Sequence, residues 1–179
     1  MRIILISGSA RNGKDQTAEF IKEYIKHNNK RVLIIHYADF LKDFCAKHYG
    51  YRGVKDSADR QILQYVGTDI VRRNNPDAWV NMMVELLKGV RTEYDFVLIP
   101  DVRFPNEIEI IKENFENVFC LNVVRHNFDN GLAPSQQSHP SETALLGYKF
   151  DENIFNDGTL EDLSNTVKNI INNKYRLEK

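Results

Sequence analysis

The chain has 179 residues and a mass of 20.9 kDa, which is the size of one domain. Its 42% hydrophobic and 27% charged residues are typical of a globular protein, and no apolar run reaches the roughly 18 residues that a membrane span needs. The 24 basic and 25 acidic residues nearly cancel, which argues against a partner that is a nucleic-acid polymer. Cys45 and Cys120 lack metal-site spacing, so we expect no zinc site, no disulfide scaffold and a cytoplasmic protein.

Apolar runs alternate with stretches of helical periodicity along the chain. Continuous apolar runs predict buried strands at residues 3–6, 32–35, 96–100, 118–124 and 153–155. Helices are predicted at residues 17–25, 40–49, 60–74, 77–90, 105–114 and 160–175, with a loop at 51–59 and a long loop at 126–140. This alternation predicts a three-layer α/β domain with a parallel five-stranded sheet.

The sharpest motif, GSARNGKD at residues 8–15, lies between the first strand and the first helix. It fits the phosphate-loop pattern G-x-x-x-x-G-K, with Asp15 where Ser or Thr is usual. The backbone N–H groups of residues 12–16 are predicted to bind phosphate oxygens at the helix N-terminus, and Lys14 to reach the β- and γ-phosphates. A carboxylate beside a triphosphate is repulsive unless Mg²⁺ lies between them, so we interpret Asp15 as a metal-site residue.

Charged residues also follow two later strands. The carboxyl ends of parallel strands lie at one edge of the sheet, so these residues should approach the phosphate loop. We expect Asp101 near Mg²⁺ or the acceptor and Arg103 on a phosphate; the alternative for Asp101 is a helix cap. Arg125 is a candidate lid arginine that stabilises a transferring phosphoryl group, or else a surface arginine.

The predicted helix at 60–74 carries Arg60, Gln64, Thr68 and Arg72 at intervals of four, which places them on one face. Two arginines and an amide on one face suit a phosphate and a base, although a solvated face has the same pattern. Gly67 in that helix costs about 1 kcal/mol relative to Ala and indicates a close approach of a ligand or another helix. The aromatic ring of Trp79 is a candidate for stacking on a base or for the core.

The sequence resembles the deoxynucleoside monophosphate kinases of bacteriophage type. The matching segments are GKDQTAEFI (13–21), RQILQYVGTDIVR (60–72), DAWV (77–80), YDFVLIPDVRFPNEIE (94–109), VVR (123–125) and NDGTLEDL (156–163). The resemblance implies a nucleoside-monophosphate-kinase fold, ATP and Mg²⁺ as cofactors, and transfer of the γ-phosphate to a deoxynucleoside monophosphate. It also implies one domain over residues 1–179, with a helical acceptor-binding region at about 38–92 and a lid at about 126–142.

On the ATP side, the resemblance places residues 12–16 on the phosphates and the turn 156–158 at the adenine. That turn is otherwise an ordinary Asp-Gly turn. We therefore predict an ATP site of Arg11, Asn12, Gly13, Lys14, Asp15, Gln16, Asn156 and Gly158. Lys14 is the predicted catalytic cation, and the catalytic arginine is left open between Arg103, Arg125 and Arg11.

The predicted acceptor site combines residues chosen from their position in the sequence with residues that the resemblance implies. His139 and Glu142 are included because SHPSET (138–143) resembles a histidine-and-glutamate element near the family's lid. Asp39 and Lys42 are included because they follow the second strand, although Asp39 also suits a helix cap. The predicted acceptor site is Asp39, Lys42, Arg60, Gln64, Thr68, Asp69, Arg72, Trp79, Asp101, Arg103, His139 and Glu142, with Asp15 and Asp101 as metal residues.

The sequence is also consistent with three other functions. The GKD loop is also similar to that of animal-type phosphomevalonate kinases, so phosphomevalonate is an alternative acceptor. The stretch ISGSARNG superficially resembles the phosphate turn of flavodoxin-type flavin reductases, although Lys14 and Asp15 suit a triphosphate and a metal better. A nucleotide-binding module without catalysis is the third. We expect small-molecule partners, no membrane, and leave a homodimer open.

Overall fold

The computed structural model describes residues 1–54 and 56–177. Over these residues the chain forms a parallel five-stranded sheet in the order β2-β3-β1-β4-β5. The strands are β1 (Arg2–Ser7), β2 (Val32–Ile34), β3 (Phe96–Ile99), β4 (Val118–Val124) and β5 (Glu152–Phe155). At the centre of the sheet, Ile4 of β1 lies opposite Leu98 of β3 and Phe119 of β4. The predicted parallel sheet of five strands is confirmed.

The connecting segments are mainly helical. The helices are α1 (Lys14–His27), α2 (Ala38–His48), α3 (Ser57–Gln64), α4 (Ala78–Val90), α5 (Pro105–Asn114), two single turns α6 (Pro134–Gln137) and α7 (Pro140–Thr143), and α8 (Leu160–Tyr175). Between α3 and α4 the chain continues as a π-helical segment, Tyr65–Arg72. Within the described ranges, no helix is long and apolar enough to cross a membrane.

The sheet has a buried core on each of its faces, because successive side chains of a strand point to opposite sides. Ile4 and Ile6 of β1 face one core, to which α1 contributes Ile21 and α8 contributes Val167. Ile3 of β1 and its alternating neighbours face the other core, which contains residues of α4 and α5. The molecule is therefore the predicted three-layer α/β fold, and its strands end together at one edge.

Two loop predictions were wrong in part. Residues 51–59 were predicted as loop, but α3 begins at Ser57, because the Asp56 carboxylate accepts a hydrogen bond from the Asp59 N–H at 2.9 Å and caps the helix. Lys55 in that stretch lies outside the described residues. The long loop at 126–140 contains α6 and continues into α7, and in both turns proline occupies the first helical position.

Candidate active site

A cleft of about 440 Å³ opens at the carboxyl edge of the sheet. The phosphate loop and the end of β3 form its base, and α2, α3, the π-helical segment and α7 form its walls. In parallel α/β sheets ligands bind at this edge. The cleft therefore lies where the sequence places its charged residues.

The phosphate loop is held in shape by its neighbours. Gly8 has φ +145°, and a Cβ at this position would lie 2.4 Å from the Val123 carbonyl oxygen. Asn12 donates its side-chain amide to that same carbonyl at 3.1 Å, and the Asn156 amide donates to the Asn12 carbonyl at 2.9 Å. Gly13 precedes α1 with φ +99°. The side chains of Asn12 and Asn156 thus fix the loop against β4 and the segment after β5.

Lys14 lies buried beneath the loop, with 8% of its surface exposed. Its Nζ donates to the carbonyls of Gly8 and Ser9, both at 2.8 Å. Burial, and after it the nearby positive charge of Arg103, lowers the pKa of Lys14 to about 7, against the opposing effect of Glu142. An anionic ligand in the cleft would favour the charged form of this lysine.

Three acidic residues surround the end of β2 and the beginning of α2. The two carboxylate oxygens of Asp101 accept the N–H groups of Tyr37 and Ala38, both at 2.9 Å, so Asp101 anchors the start of α2. Burial raises the pKa of Asp101 in spite of these bonds. The His36 ring lies 3.7 Å from Asp15 and 3.4 Å from Asp39, and the hydrogen bond with Asp15 raises the pKa of His36.

Glu142, on α7, joins three parts of the cleft. Its carboxylate accepts the N–H of Ala10 at 3.1 Å and lies 3.3 Å from the Arg60 guanidinium and 3.0 Å from the Arg103 guanidinium. Only 6% of the Glu142 side chain is exposed. The phosphate loop, α3 and the end of β3 are therefore tied to one buried carboxylate.

The predicted polar face of residues 60–72 does face the cleft. Arg60, Gln64, Thr68 and Arg72 all line it. The prediction of a regular helix over residues 60–74 is wrong in one respect, because the segment from Tyr65 to Arg72 is π-helical. π-Helical segments are frequent at functional sites.

A family model and two viral proteins are similar to this chain. A family model described as deoxynucleotide monophosphate kinase matches residues 55–167. The chain belongs to this family. A protein of Acanthamoeba polyphaga mimivirus that provisionally carries the same name is 28% identical, with 97% of each chain covered. The deoxynucleotide monophosphate kinase of Enterobacteria phage T4 is 30% identical over 63% of this chain and 44% of its own length.

Two solved structures share the fold of this family member. The APS kinase CysC of Mycobacterium tuberculosis, in complex with AMPPNP and APS, has a TM-score of 0.58 at 9% identity, with 95% of this chain and 96% of the other covered. A sugar kinase from Janibacter sp. HTCC2649, also with a TM-score of 0.58, is 14% identical, with 100% and 99% covered. At these identities the likeness establishes the fold alone.

In this deoxynucleotide monophosphate kinase family member, several predicted site residues have protein partners. Arg72 is ion-paired with the buried Glu107, and its guanidinium lies 4.0 Å from the centre of the Phe104 ring. The Trp79 indole N–H donates to the Gly67 carbonyl at 3.0 Å, and its partly buried ring packs against the core and lines the cleft. Lys42 lines the cleft and lies 3.4 Å from Asp39.

Other predicted residues lie outside the lining of the cleft. Arg125 is exposed, with its guanidinium 4.0 Å from the centre of the Phe128 ring. His139 caps α7, and its Nε2 lies 3.9 Å from Asp69. Arg11, in contrast, lines the cleft, and its guanidinium donates to the Asn130 carbonyl at 2.8 Å. Outside the lining are Asn12, Gly13, Gln16, Asp39, Asp69, Arg125, His139, Asn156 and Gly158.

Sequence reasoning missed Glu107 and Ser141. The Glu107 carboxylate accepts the N–H groups of Arg103 at 2.6 Å and Phe104 at 3.1 Å, so it fixes the backbone from which Arg103 projects. The sequence does indicate a structural role for Glu107, because an acidic residue two positions after Pro105 suits the first turn of a helix. Ser141 accepts from Gln64 at 3.5 Å, a contact across 77 residues that no local pattern indicates.

Proposed function

We propose that this protein transfers the γ-phosphate of ATP to a deoxynucleoside monophosphate, giving ADP and a deoxynucleoside diphosphate. The observation that carries the proposal is the convergence of Lys14, Arg60 and Arg103 on one cleft. The phosphate loop with Lys14 suits the donor triphosphate, and guanidinium groups suit the phosphate of an acceptor. Membership of the family supports a deoxynucleotide as the acceptor.

The ATP side of the proposal extends from the phosphate loop to the segment after β5. The APS kinase that shares the fold was solved in complex with AMPPNP, which supports an adenine nucleotide as the donor. Residues 12–16 and 156–158 are the proposed contacts, with the adenine at the latter. Arg11 and Arg103 line the cleft and are better placed than Arg125 to stabilise charge on the transferring phosphoryl group.

Asp15 and Asp101 are the residues that would hold Mg²⁺. Among residues 1–54 and 56–177, no group of three or more His, Cys, Asp or Glu side chains could hold a metal ion. Two carboxylates nonetheless fit, because Mg²⁺ in kinases is bound through one or two carboxylates together with substrate phosphates and water. The ion would neutralise negative charge on the phosphates. Asp15 is 74% exposed, and each Asp101 oxygen retains acceptor capacity beyond its backbone contact.

The proposed mechanism is direct in-line transfer. An acceptor phosphate oxygen is already anionic near neutral pH, so the protein needs no general base. The contribution of the chain is positioning and charge stabilisation by Lys14, Arg60 and Arg103. We further propose that the acceptor region at 38–92 and the lid at 126–142 belong to one domain and exclude water when the cleft closes.

Phosphomevalonate and a flavin are the less favoured ligands, because the family match is to the deoxynucleotide enzymes. The test is an ADP-release assay with ATP and Mg²⁺ that offers each of dAMP, dGMP, dCMP and dTMP, their ribose forms and phosphomevalonate. We expect turnover with one or more deoxynucleotides. Activity with phosphomevalonate alone would overturn the acceptor assignment, and no activity on the panel would leave a nucleotide-binding module.

A further inference from the structure

Glu142 occupies a position that suits a phosphate oxygen. Its carboxylate contacts the Ala10 N–H of the phosphate loop and the guanidinium groups of Arg60 and Arg103. Backbone N–H groups of this loop and arginines are also the donors that bind phosphoryl oxygens. In the substrate-free cleft one carboxylate therefore satisfies donors from both the ATP side and the acceptor side.

The charge balance of the empty cleft depends on this carboxylate. Arg60 and Arg103 are 30% and 24% exposed, so neither is fully solvated, and Lys14 is buried beside them. Glu142 favours the charged form of Lys14, whereas Arg103 opposes it. A γ-phosphate brought to the same donors would meet the negative charge of Glu142, so the two cannot share them at low cost.

Apart from Glu142 itself, the segment that carries it contacts the cleft walls through long hydrogen bonds. It is the single helical turn Pro140–Thr143, and the contacts of its Ser141 with Gln64 and Arg103 are long, at 3.5 and 3.4 Å. The chain after it exposes 76% of Leu146 and turns at Gly147 with φ +77°. Residues 140–143, all within the described part of the chain, belong to neither core, whereas Leu145 and Tyr148 beyond them pack against the second core. The turn can therefore move while the sheet and its cores stay in place.

We propose that Glu142 is a positioning residue that holds Arg60 and Arg103 in the empty cleft, competes with the γ-phosphate for their donors, and is displaced when ATP and the acceptor phosphate are both bound. This inference rests on the proposed function, since it assigns those donors to the two substrates. In this arrangement Glu142 restrains ATP binding until the acceptor contributes its own phosphate. Glu142 acts through the arginines and the loop and does not itself bind the nucleotide.

The test is the affinity of the complete, substrate-free chain for ATP with Mg²⁺, measured by calorimetry without an acceptor. Glu142→Gln should bind ATP about fivefold or more tightly than the wild type, at the lower end of ordinary coupling between sites. Glu116→Gln, which changes an exposed glutamate just before β4 at the opposite edge of the sheet, should bind like the wild type. Unchanged or weaker binding by folded Glu142→Gln would overturn the proposal, because a merely structural role predicts that outcome.

Glu142→Asp provides a second variant if the glutamine form does not fold. Aspartate keeps the charge but is one methylene shorter, so it cannot contact all three donors at once, and ATP affinity should again rise. Equal affinity of the aspartate variant and the wild type would count against the inference. Calorimetry with ATP needs no acceptor and tests the role of Glu142 separately, whereas absence of turnover on deoxynucleotides would reject the proposed function.

Discussion

Lys14 lies between the carbonyls of its own phosphate loop and the positive charge of Arg103. Its ammonium group is therefore buried and surrounded by protein groups rather than by water. The lysine donates to the Gly8 and Ser9 carbonyls, so backbone dipoles stabilise its charge. Its low pKa comes mainly from burial. A consequence for stability can be measured without any substrate.

We expect the stability of the substrate-free, metal-free protein, relative to Lys14→Met, to rise with pH between about 7 and 10.5. The pKa of Lys14 is about 7 in the folded chain, against an ordinary value of 10.5. Between these values the unfolded chain binds more protons, so raising the pH favours the folded state. Below this window both states are protonated, and the folded state carries the full cost of the buried charge.

The measurement is urea unfolding of both proteins at several pH values from about 6.5 to about 9.5. This range begins just below the window and covers most of it. The difference in unfolding free energy should grow towards alkaline pH in favour of the wild type. Parallel curves would show that Lys14 titrates alike in both states and would contradict the burial argument.

At the scale of elements, the π-helical segment Tyr65–Arg72 places Thr68 and Arg72 in the cleft. Gly67 in this segment packs closely on α2, since a Cβ there would lie 2.6 Å from Leu41. Its carbonyl accepts from the Trp79 indole at 3.0 Å. Trp79 of α4 therefore supports the wall of the cleft that the π-helical segment forms. Its ring also packs against the core, which is the alternative that the sequence left open.

Trp79→Phe should raise the KM for the deoxynucleotide by roughly fivefold, the effect of losing one hydrogen bond of about 1 kcal/mol, and leave the KM for ATP unchanged. Phenylalanine retains an aromatic ring but cannot donate to the Gly67 carbonyl. Tyr148→Phe is the matched control, since it deletes a ring donor to Glu109 outside the cleft lining. Equal changes in both KM values would show that Trp79 serves general stability only.

The turn between β1 and α1 makes a prediction about backbone geometry. Gly8→Ala should destabilise the fold by about 1–3 kcal/mol, because the new Cβ meets a backbone carbonyl at 2.4 Å in a conformation that favours glycine. Gly89→Ala in α4 is the control: its Cβ meets nothing within 4 Å, and alanine favours a helix by up to about 1 kcal/mol. Thermal unfolding would compare them, and equal midpoints would contradict the role of Gly8.

The sequence predicted the sheet and most helices because buried parallel strands are continuous apolar runs and the helices between them are periodic. It also predicted the phosphate loop, whose glycines, lysine and flanking elements are local. It could not predict that Glu142 contacts Ala10, since 132 residues separate them, or that Arg72 pairs with Glu107 across 35 residues. The π-helical segment was missed because its polar residues also fit an α-helix. The individual site roles, Mg²⁺, cytoplasmic location and a homodimer stay predictions.

At the scale of the whole molecule, we propose a donor side of the cleft at the phosphate loop and an acceptor side at α3 and the π-helical segment. Arg60→Ala should raise the KM for the deoxynucleotide about tenfold or more, the effect of a lost charge-assisted hydrogen bond, with a smaller change for ATP. Arg73→Ala is the control, because Arg73 is exposed, directly follows the π-helical segment and lies outside the cleft lining. Steady-state kinetics with each substrate varied would decide. A change confined to ATP would mean that the two sides are reversed.

We propose that this cleft transfers a phosphoryl group between two nucleotides, and ATP labelled in its γ-phosphate tests this transfer most directly. Wild-type protein with Mg²⁺ and each deoxynucleoside monophosphate should place the label in a deoxynucleoside diphosphate. Lys14→Ala, folded by circular dichroism, should retain less than about a tenth of that transfer. Label found only in inorganic phosphate, or transfer by Lys14→Ala at the wild-type rate, would contradict the account.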